Sequence, residues 1–185
     1  MTLKEKVQKL AKENFDEVLA VRRHLHANPE LSFKEVETSK FVFNKLQEYG
    51  VEFERNIADT GLIAYIKGKN PEKKIVALRA DMDALPILEA NEVSYKSKNE
   101  GVMHACGHDV HTSSLLGAAK ILTSLKDEFE GTVKLLFQPG EELLPGGASI
   151  MIKEGALQNP VPENIVGQQV MPLIPAGKVG FRSGI

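Results

Sequence analysis

The sequence has little cysteine, no tryptophan and no long apolar run, and each absence excludes a class of protein. Cys106 is its only cysteine, so no disulfide can form within the chain, and we expect a cytoplasmic location. No apolar run approaches the roughly 18–20 residues that a membrane-spanning helix needs. Residues 1–9 are polar and amphipathic, unlike a signal peptide. We therefore expect no membrane partner.

An excess of charge of one sign is also missing. The 23 basic residues nearly balance the 25 acidic ones, which gives a net charge of −2 and no electrostatic footprint for nucleic acid. Hydrophobic residues make up 42% and charged residues 26%, values typical of a globular protein. The length suffices for one domain with its own core.

Apolar spacing at three and four residues predicts two helices in the first third of the chain. The apolar residues of the first helix recur from Leu3 to Leu25, and Asn28-Pro29 is the signal that stops it. The second helix runs from Ser32 to Gly50. Ser32 and Glu35 match the pattern of a capping box. The expected buried stripe of the second helix is Val36, Phe43 and Leu46.

Strand-like runs alternate with further helices along the rest of the chain. The strands are expected at residues 51–54, 62–67, 75–79, 132–137, 165–170 and, at the end, 178–182. Helices are expected over residues 110–126 and 148–153, and a polar loop covers about 89–102. This alternation predicts an α/β fold, a mixed sheet with helices on both faces.

The densest group of chemically active residues is HACGHDVH, at residues 104–111. Its nitrogen and sulfur donors suit zinc, cobalt, nickel or manganese rather than calcium or magnesium. In extended backbone, Cys106 and His108 would point to one side, and Gly107 between them permits a close approach. Asp109 is the expected N-cap of the following helix. The alternative is a polar loop with a chance excess of histidine.

Carboxylates follow two of the predicted strands. After strand 132–137, one of the adjacent Glu141 and Glu142 can bind metal while the other takes a proton from water. The alternative is a solvated surface pair. Residues 79–86 read RADMDALP and place two carboxylates where α/β folds form their sites, although an aspartate-rich turn is the alternative.

Residues 22–33 read RRHLHANPELSF and contain two more histidines. The segment has the pattern of one helix ending and another beginning. Because His24 and His26 cannot share a helix face, we interpret both as structural residues.

Together, these segments resemble the amidohydrolase branch of the dinuclear metallopeptidase family, which includes hippurate hydrolase, N-acyl amino acid amidohydrolases and auxin-conjugate hydrolases. The matching stretches are residues 22–37, 79–86, 104–117, 138–147 and 166–182. The resemblance implies a zinc-peptidase-like catalytic domain. It also implies a metal-dependent enzyme that cleaves the amide bond of N-acyl amino acids or small peptide-like amides.

The resemblance also implies a role for individual residues. Cys106 would be the shared metal ligand, His108 and Glu142 would each bind metal, and the complete enzyme would hold two divalent ions of manganese, zinc, cobalt or nickel. Glu141 would be the general base. Asp83 would orient a neighbouring ligand.

The chain departs from the family at one ligand. The family has a metal-binding histidine in a His-Val-x-Pro segment, and Gln169 stands in its place within residues 168–172. An amide oxygen is a poorer donor than imidazole for a transition metal. Asp109 and His111 are expected to support the site without binding metal.

The family also continues beyond this length, with a satellite domain and a further histidine ligand. We therefore expect residues 1–185 to be the N-terminal part of the catalytic domain, and dimerisation to belong to the full-length protein. Exposed apolar residues near the end, such as Ile174, Val179 and Phe181, predict self-association of the isolated chain.

Three hypotheses on activity stay open. The chain is a fragment with little activity alone, an active hydrolase completed by another chain, or a non-catalytic metal-binding module on the same scaffold.

Overall fold

The computed structural model describes residues 1–181 and contains a five-stranded mixed sheet with helices on both faces, which confirms the predicted fold class. The elements in chain order are α1 (Leu3–Glu13), α2 (Phe15–Ala27), α3 (Val36–Glu48), β1 (Glu52–Ile57), β2 (Gly61–Lys67), β3 (Ile75–Asp81), α4 (His108–Ser124), a 3-10 turn (Lys126–Glu128), β4 (Thr132–Gln138), α5 (Gly147–Lys153) and β5 (Asn164–Gly167). No helix within residues 1–181 is both long and apolar enough to cross a membrane.

The order of the strands brings the chemically active loops to one edge of the sheet. The order is β1-β2-β4-β3-β5. Strand β2 is antiparallel to both of its neighbours, β1 and β4, whereas β3 is parallel to both of its neighbours, β4 and β5. The register of β3 and β4 pairs Asp81 with Gln138, the last residue of each strand. The segments that follow, residues 82–86 and 139–142, therefore leave the sheet side by side, where α/β folds place their sites.

Two apolar clusters cover the two faces of the sheet. The larger one packs α2, α3 and α4 against the first face, and its most buried members are Val42, Leu46, Leu62, Ala64, Ala119, Leu135 and Phe137. The smaller one packs α5 and the segment after it on the second face, through Ile63, Ala77, Leu136, Met151 and Ala156. The sheet is thus the rigid support on which the site stands.

The predicted first helix is interrupted, so its single span is wrong. The chain forms α1 and α2, with Asn14 between them. The side chain of Asn14 donates to the carbonyl of Leu10 at 2.8 Å and closes the end of α1. Asparagine competes in this way with the helical hydrogen bonds of its own backbone.

The predicted capping box of the second helix is also wrong. Helix α3 begins at Val36, and its first turn has no side-chain cap. The Ser32 hydroxyl donates instead to Asp83, and the Glu35 carboxylate turns inward to other segments. Of the expected stripe, Leu46 is buried, Phe43 is partly buried, and Val36 is 60% exposed because it stands at the helix start.

The end of the described chain differs from the expected strands. Strand β5 ends at Gly167 rather than at residue 170, and residues 178–181 form no strand, while Arg182 lies outside the described residues. The exposed apolar residues expected here are Ile174, Val179 and Phe181, and all three are exposed. With β5 at the edge of the sheet, these side chains favour the self-association that the sequence predicts.

Lys134 lies in the middle of β4 and is fully buried. Its ammonium donates to the carbonyls of Ala156, Gln158 and Pro160 at 2.8, 2.6 and 3.1 Å, and it lies over the ring of Tyr65. Burial lowers the pKa of this amine. The three hydrogen bonds hold the connection between α5 and β5 against the sheet.

We expect Lys134→Met to lower the free energy of unfolding by about 2 kcal/mol, because three backbone carbonyls lose the buried ammonium that donates to them. Chemical denaturation measures the change. Lys9→Met is the control, since the Lys9–Glu13 ion pair is exposed and its removal should change stability by less than about 0.5 kcal/mol. Equal effects of the two substitutions would contradict this role of Lys134.

Candidate metal centre

Three side chains with metal-binding atoms converge at the edge of the sheet. They are Cys106 in the loop before α4, His108 at the first position of α4, and Glu142 in the loop after β4. One ligand atom from each lies within 4.8 Å of the others. The structure therefore brings together the three residues that the family resemblance implies as ligands.

His108 is oriented by Asp83. Its Nδ1 lies 2.9 Å from the backbone carbonyl and 3.1 Å from Oδ1 of Asp83, so Nδ1–H is the donor. Nε2 points into the site, where Asp81 Oδ2 lies at 3.6 Å, Glu142 Oε1 at 3.8 Å and Glu141 Oε2 at 4.0 Å. A histidine that donates one ring N–H to a carboxylate and points the other nitrogen into a site is arranged to bind a metal.

Asp83 also holds the loop that carries the two glutamates. Its Oδ2 accepts the Ser32 hydroxyl at 2.6 Å and the backbone N–H of Glu142 at 2.9 Å. Burial raises the pKa of Asp83, but the hydrogen bonds from His108, Ser32 and the backbone of Glu141 and Glu142 outweigh it and lower the pKa to about 2. Asp83 is therefore an anion at every pH near neutrality.

The electrostatics of the cluster favour a cation. Burial and the neighbouring carboxylate of Glu142 raise the pKa of the Cys106 thiol. A bound cation reverses this effect and stabilises the thiolate. Sulfur, imidazole nitrogen and carboxylate oxygen together form a donor set suited to zinc or a similar divalent ion. The residues present thus fit a metal.

Glu141 borders this cluster on its open side. Its side chain is 41% exposed, and its carboxylate stands 4.0 Å from the His108 ring nitrogen. Of the two adjacent glutamates, Glu141 is therefore the one that a molecule arriving from solvent meets first.

A second converging group consists of Asp81, His108 and His111, all buried. His111 already uses both ring nitrogens, since Nδ1 lies 2.6 Å from Asp81 Oδ1 and Nε2 accepts the backbone N–H of Val170 at 2.9 Å. Arg79 occupies the other carboxylate oxygen of Asp81 at 2.6 Å. This arrangement fits the supporting role predicted for His111.

Gln169 lies at the cluster, as expected from its place in the sequence. Its amide nitrogen is 3.9 Å from Cys106 Sγ, and Val170 beside it packs on Gly107. Gly107 has φ +89°, and a Cβ there would lie 2.8 Å from the side chain of Val170, so only glycine permits the contact. Cys106 and His108 therefore meet around a left-handed glycine, not along the extended backbone that the sequence suggested.

The prediction that Asp109 caps α4 is wrong, because Gly107 is the N-cap. The Asp109 carboxylate is drawn into a buried ion pair instead. It lies 2.7 Å from His26 Nδ1 and 3.0 Å from Arg22 Nε, and the other ring nitrogen of His26 lies 3.0 Å from Glu89. Only a protonated imidazole can donate to both carboxylates. This network ties α2 and the loop after β3 to the start of α4.

The sequence does not reveal the structural roles of three residues of this region. Asp81 has the pattern of a strand-end pair, and Ser32 and Glu35 have the pattern of a helix cap. Their partners are 30, 51 and 105 residues away in the chain, so no local pattern reveals them.

Comparisons with known proteins agree with this geometry. Residues 77–184 match the profile of Peptidase family M20/M25/M40, and the chain belongs to this family. It is 46% identical over 182 residues to an N-acyl-L-amino acid amidohydrolase of Geobacillus stearothermophilus, covering 98% of this chain and 48% of that protein. It is 49% identical over 152 residues to the hippurate hydrolase of Campylobacter jejuni, covering 82% and 39%.

A solved structure is similar as well. The Bacillus subtilis YXEP protein, described as a dinuclear metal binding peptidase from the M20 family, superposes with a TM-score of 0.87 and 42% identity over 94% of this chain and 48% of that chain. The chain thus spans about half the length of the relatives that it matches.

The His26 network generates a pH dependence of stability. The Asp109 carboxylate raises the pKa of His26 above 6.5, burial opposes this, and Glu89 adds to it. Because the folded-state pKa lies above the unfolded value, the stabilisation is complete below pH 6.5 and is lost as pH rises through the folded pKa. We expect the unfolding free energies of wild type and His26→Gln, measured without metal, to differ more at pH 6 than at pH 9.

His24→Gln is the matched control with the opposite sign. His24 stacks on Phe41, and burial lowers its pKa, so its contribution is lost as pH falls. The difference between wild type and His24→Gln should therefore be larger at pH 9. A His26→Gln difference that does not change with pH would contradict a protonated His26.

Proposed function

We propose that this chain carries the metal-binding part of a hydrolase active site that cleaves the amide bond of N-acyl amino acids or small peptide-like amides. The observation that supports it most is the convergence of Cys106, His108 and Glu142 beside a second, exposed glutamate. Family membership and the names of the relatives support the same reaction.

The metal would be held by Cys106, His108 and Glu142. We propose two divalent ions, of manganese, zinc, cobalt or nickel, in the complete site. When bound, such ions polarise the acyl carbonyl and lower the pKa of water.

Glu141 is the proposed general base. Its carboxylate takes a proton from water as the water oxygen forms a C–O bond to the acyl carbon. It then passes this proton to the amide nitrogen, and the C–N bond breaks to release the amine. The products are a carboxylic acid and an amino acid. Asp83 contributes by fixing the His108 ring and the backbone of Glu142, which keeps both groups in place throughout the reaction.

Further proposals concern the whole protein. Since the chain spans about half the length of its relatives, we propose that residues 1–185 are one part of a catalytic domain. A further stretch of polypeptide contributes to the complete site. Dimerisation and a cytoplasmic location remain expectations from the sequence. A metal-binding module without turnover is the second candidate function, and the neutral Gln169 beside Cys106 favours it.

Metal content and hydrolysis, measured on the same samples, test the proposal. The full-length protein, loaded with manganese, zinc or cobalt, should retain metal and hydrolyse benzoylglycine. Glu141→Gln should keep the metal and lose roughly 10²–10⁴-fold in rate, as expected for loss of a general base. Glu142→Gln should lose both the metal and the activity. Metal retention without hydrolysis by the full-length protein would contradict the hydrolase and favour the metal-binding module.

Gln169 gives a second test that needs no turnover. We expect Gln169→His to raise the affinity for zinc about tenfold or more, because an imidazole nitrogen replaces an amide as a donor beside Cys106. Equilibrium dialysis measures it. Gln168→His is the control, since it adds the same imidazole one position away. An equal gain in both variants, or none at position 169, would contradict the placement of Gln169 at the metal.

A further inference from the structure

Glu35 is a completely buried carboxylate outside the metal cluster. One oxygen accepts the backbone N–H groups of Phe33 and Gly140 at 3.0 and 2.8 Å, and the other accepts the Thr60 hydroxyl at 2.8 Å. Among residues 1–181, no basic side chain lies within ion-pair distance of it. Removing a carboxylate from water without a basic partner costs free energy. The groups that Glu35 binds therefore indicate its role.

The important partner is Gly140, which begins the loop of Glu141 and Glu142. Gly140 has φ +57°, and a Cβ there would lie 2.4–2.7 Å from the ring atoms of Phe33. The loop therefore rests directly on the Phe33 ring while Glu35 holds its first N–H group. Both contacts come from the short segment that precedes α3.

The same segment reaches the other end of this loop through Asp83. Ser32 donates to Asp83 Oδ2, and that oxygen also accepts the backbone N–H of Glu142. Two buried carboxylates thus hold the backbone on either side of Glu141, Glu35 at Gly140 and Asp83 at Glu142. A loop fixed at both ends has little freedom to move its side chains.

We propose that Glu35 is a positioning residue that sets the Gly140–Glu142 loop, so that Glu142 reaches the metal and Glu141 stands beside it. The inference rests on the proposed function, because it takes Glu142 as a ligand. It assigns to residues 32–35 the role of a platform for the active-site loop, in place of the helix cap that their sequence pattern suggests.

The contacts also define which property of Glu35 matters. Glutamine at this position can accept both N–H groups with its carbonyl oxygen and donate from its amide to the Thr60 hydroxyl. Alanine accepts neither N–H group. The proposal therefore requires an acceptor oxygen at position 35 and not a charge, which separates Glu35→Gln from Glu35→Ala.

Titration with Co²⁺, followed by the thiolate-to-cobalt absorption of Cys106, measures the metal site without turnover. We expect Glu35→Ala to weaken Co²⁺ binding about 10–100-fold, the usual effect of losing a group that orients a ligand, and Glu35→Gln to restore it to within about threefold. Hydrogen exchange at the Gly140 and Glu142 amides should be faster in Glu35→Ala and unchanged in Glu35→Gln.

Two further variants separate positioning from general stability. Lys134→Met removes hydrogen bonds that link the middle of β4 to the segment after α5, so it should lower stability while Co²⁺ binding stays within about threefold of wild type. Gly140→Ala displaces the loop from Phe33 with Glu35 intact, so it should weaken Co²⁺ binding even if Glu35→Ala does not fold.

The outcomes distinguish this inference from the proposed function. A folded Glu35→Ala that binds Co²⁺ as wild type does, or a Lys134→Met variant that loses binding equally, would overturn the positioning role and leave the metal site standing. If Glu35→Ala does not fold, unchanged binding in Gly140→Ala overturns it in the same way. Absence of the thiolate absorption in the wild-type chain would overturn the metal site itself, and the inference with it.

Discussion

The buried carboxylate of Asp83 accepts hydrogen bonds from three separate segments of the chain, and the geometry of the candidate metal centre depends on them. It fixes the ring of His108 on α4, the hydroxyl of Ser32 before α3 and the backbone of Glu142 after β4. Parallel pairing of β3 with β4 brings the segments of Asp83 and Glu142 together at the carboxyl edge of the sheet. The sheet holds the ends of β3 and β4 in place, and the Asp83 carboxylate at its edge orients the groups of the site.

Other buried charges extend the same principle outward. The His26–Asp109 pair anchors the start of α4, Glu35 anchors Gly140, and Lys134 anchors the connection that leads to β5. Each removes a charged or polar group from water, and each fixes a loop or the first turn of a helix rather than the interior of a helix or strand. Loops have no hydrogen-bond ladder of their own, so buried charged side chains provide the order that a precise site needs.

The sequence predicted the features that rest on local patterns. Apolar periodicity was sufficient for the alternation of helices and strands, and the family resemblance implied Cys106, His108 and Glu142 as ligands, which converge in space. Prediction from the sequence failed where a side chain binds a partner that is distant in the chain. Asp109 is a residue type typical of a helix cap, yet it pairs with His26, 83 residues away. Glu35 matches a capping box, yet it bonds Gly140. Local propensity is decisive only where no buried partner competes.

X-ray absorption at the zinc edge, recorded on the zinc-loaded chain, reports which atoms bind the metal and so tests whether Cys106 is a ligand. We expect one sulfur neighbour at about 2.3 Å together with nitrogen and oxygen neighbours near 2.0–2.2 Å. Cys106→Ser should remove the sulfur contribution. A spectrum of nitrogen and oxygen neighbours alone in the wild-type chain would contradict a metal centre built on Cys106.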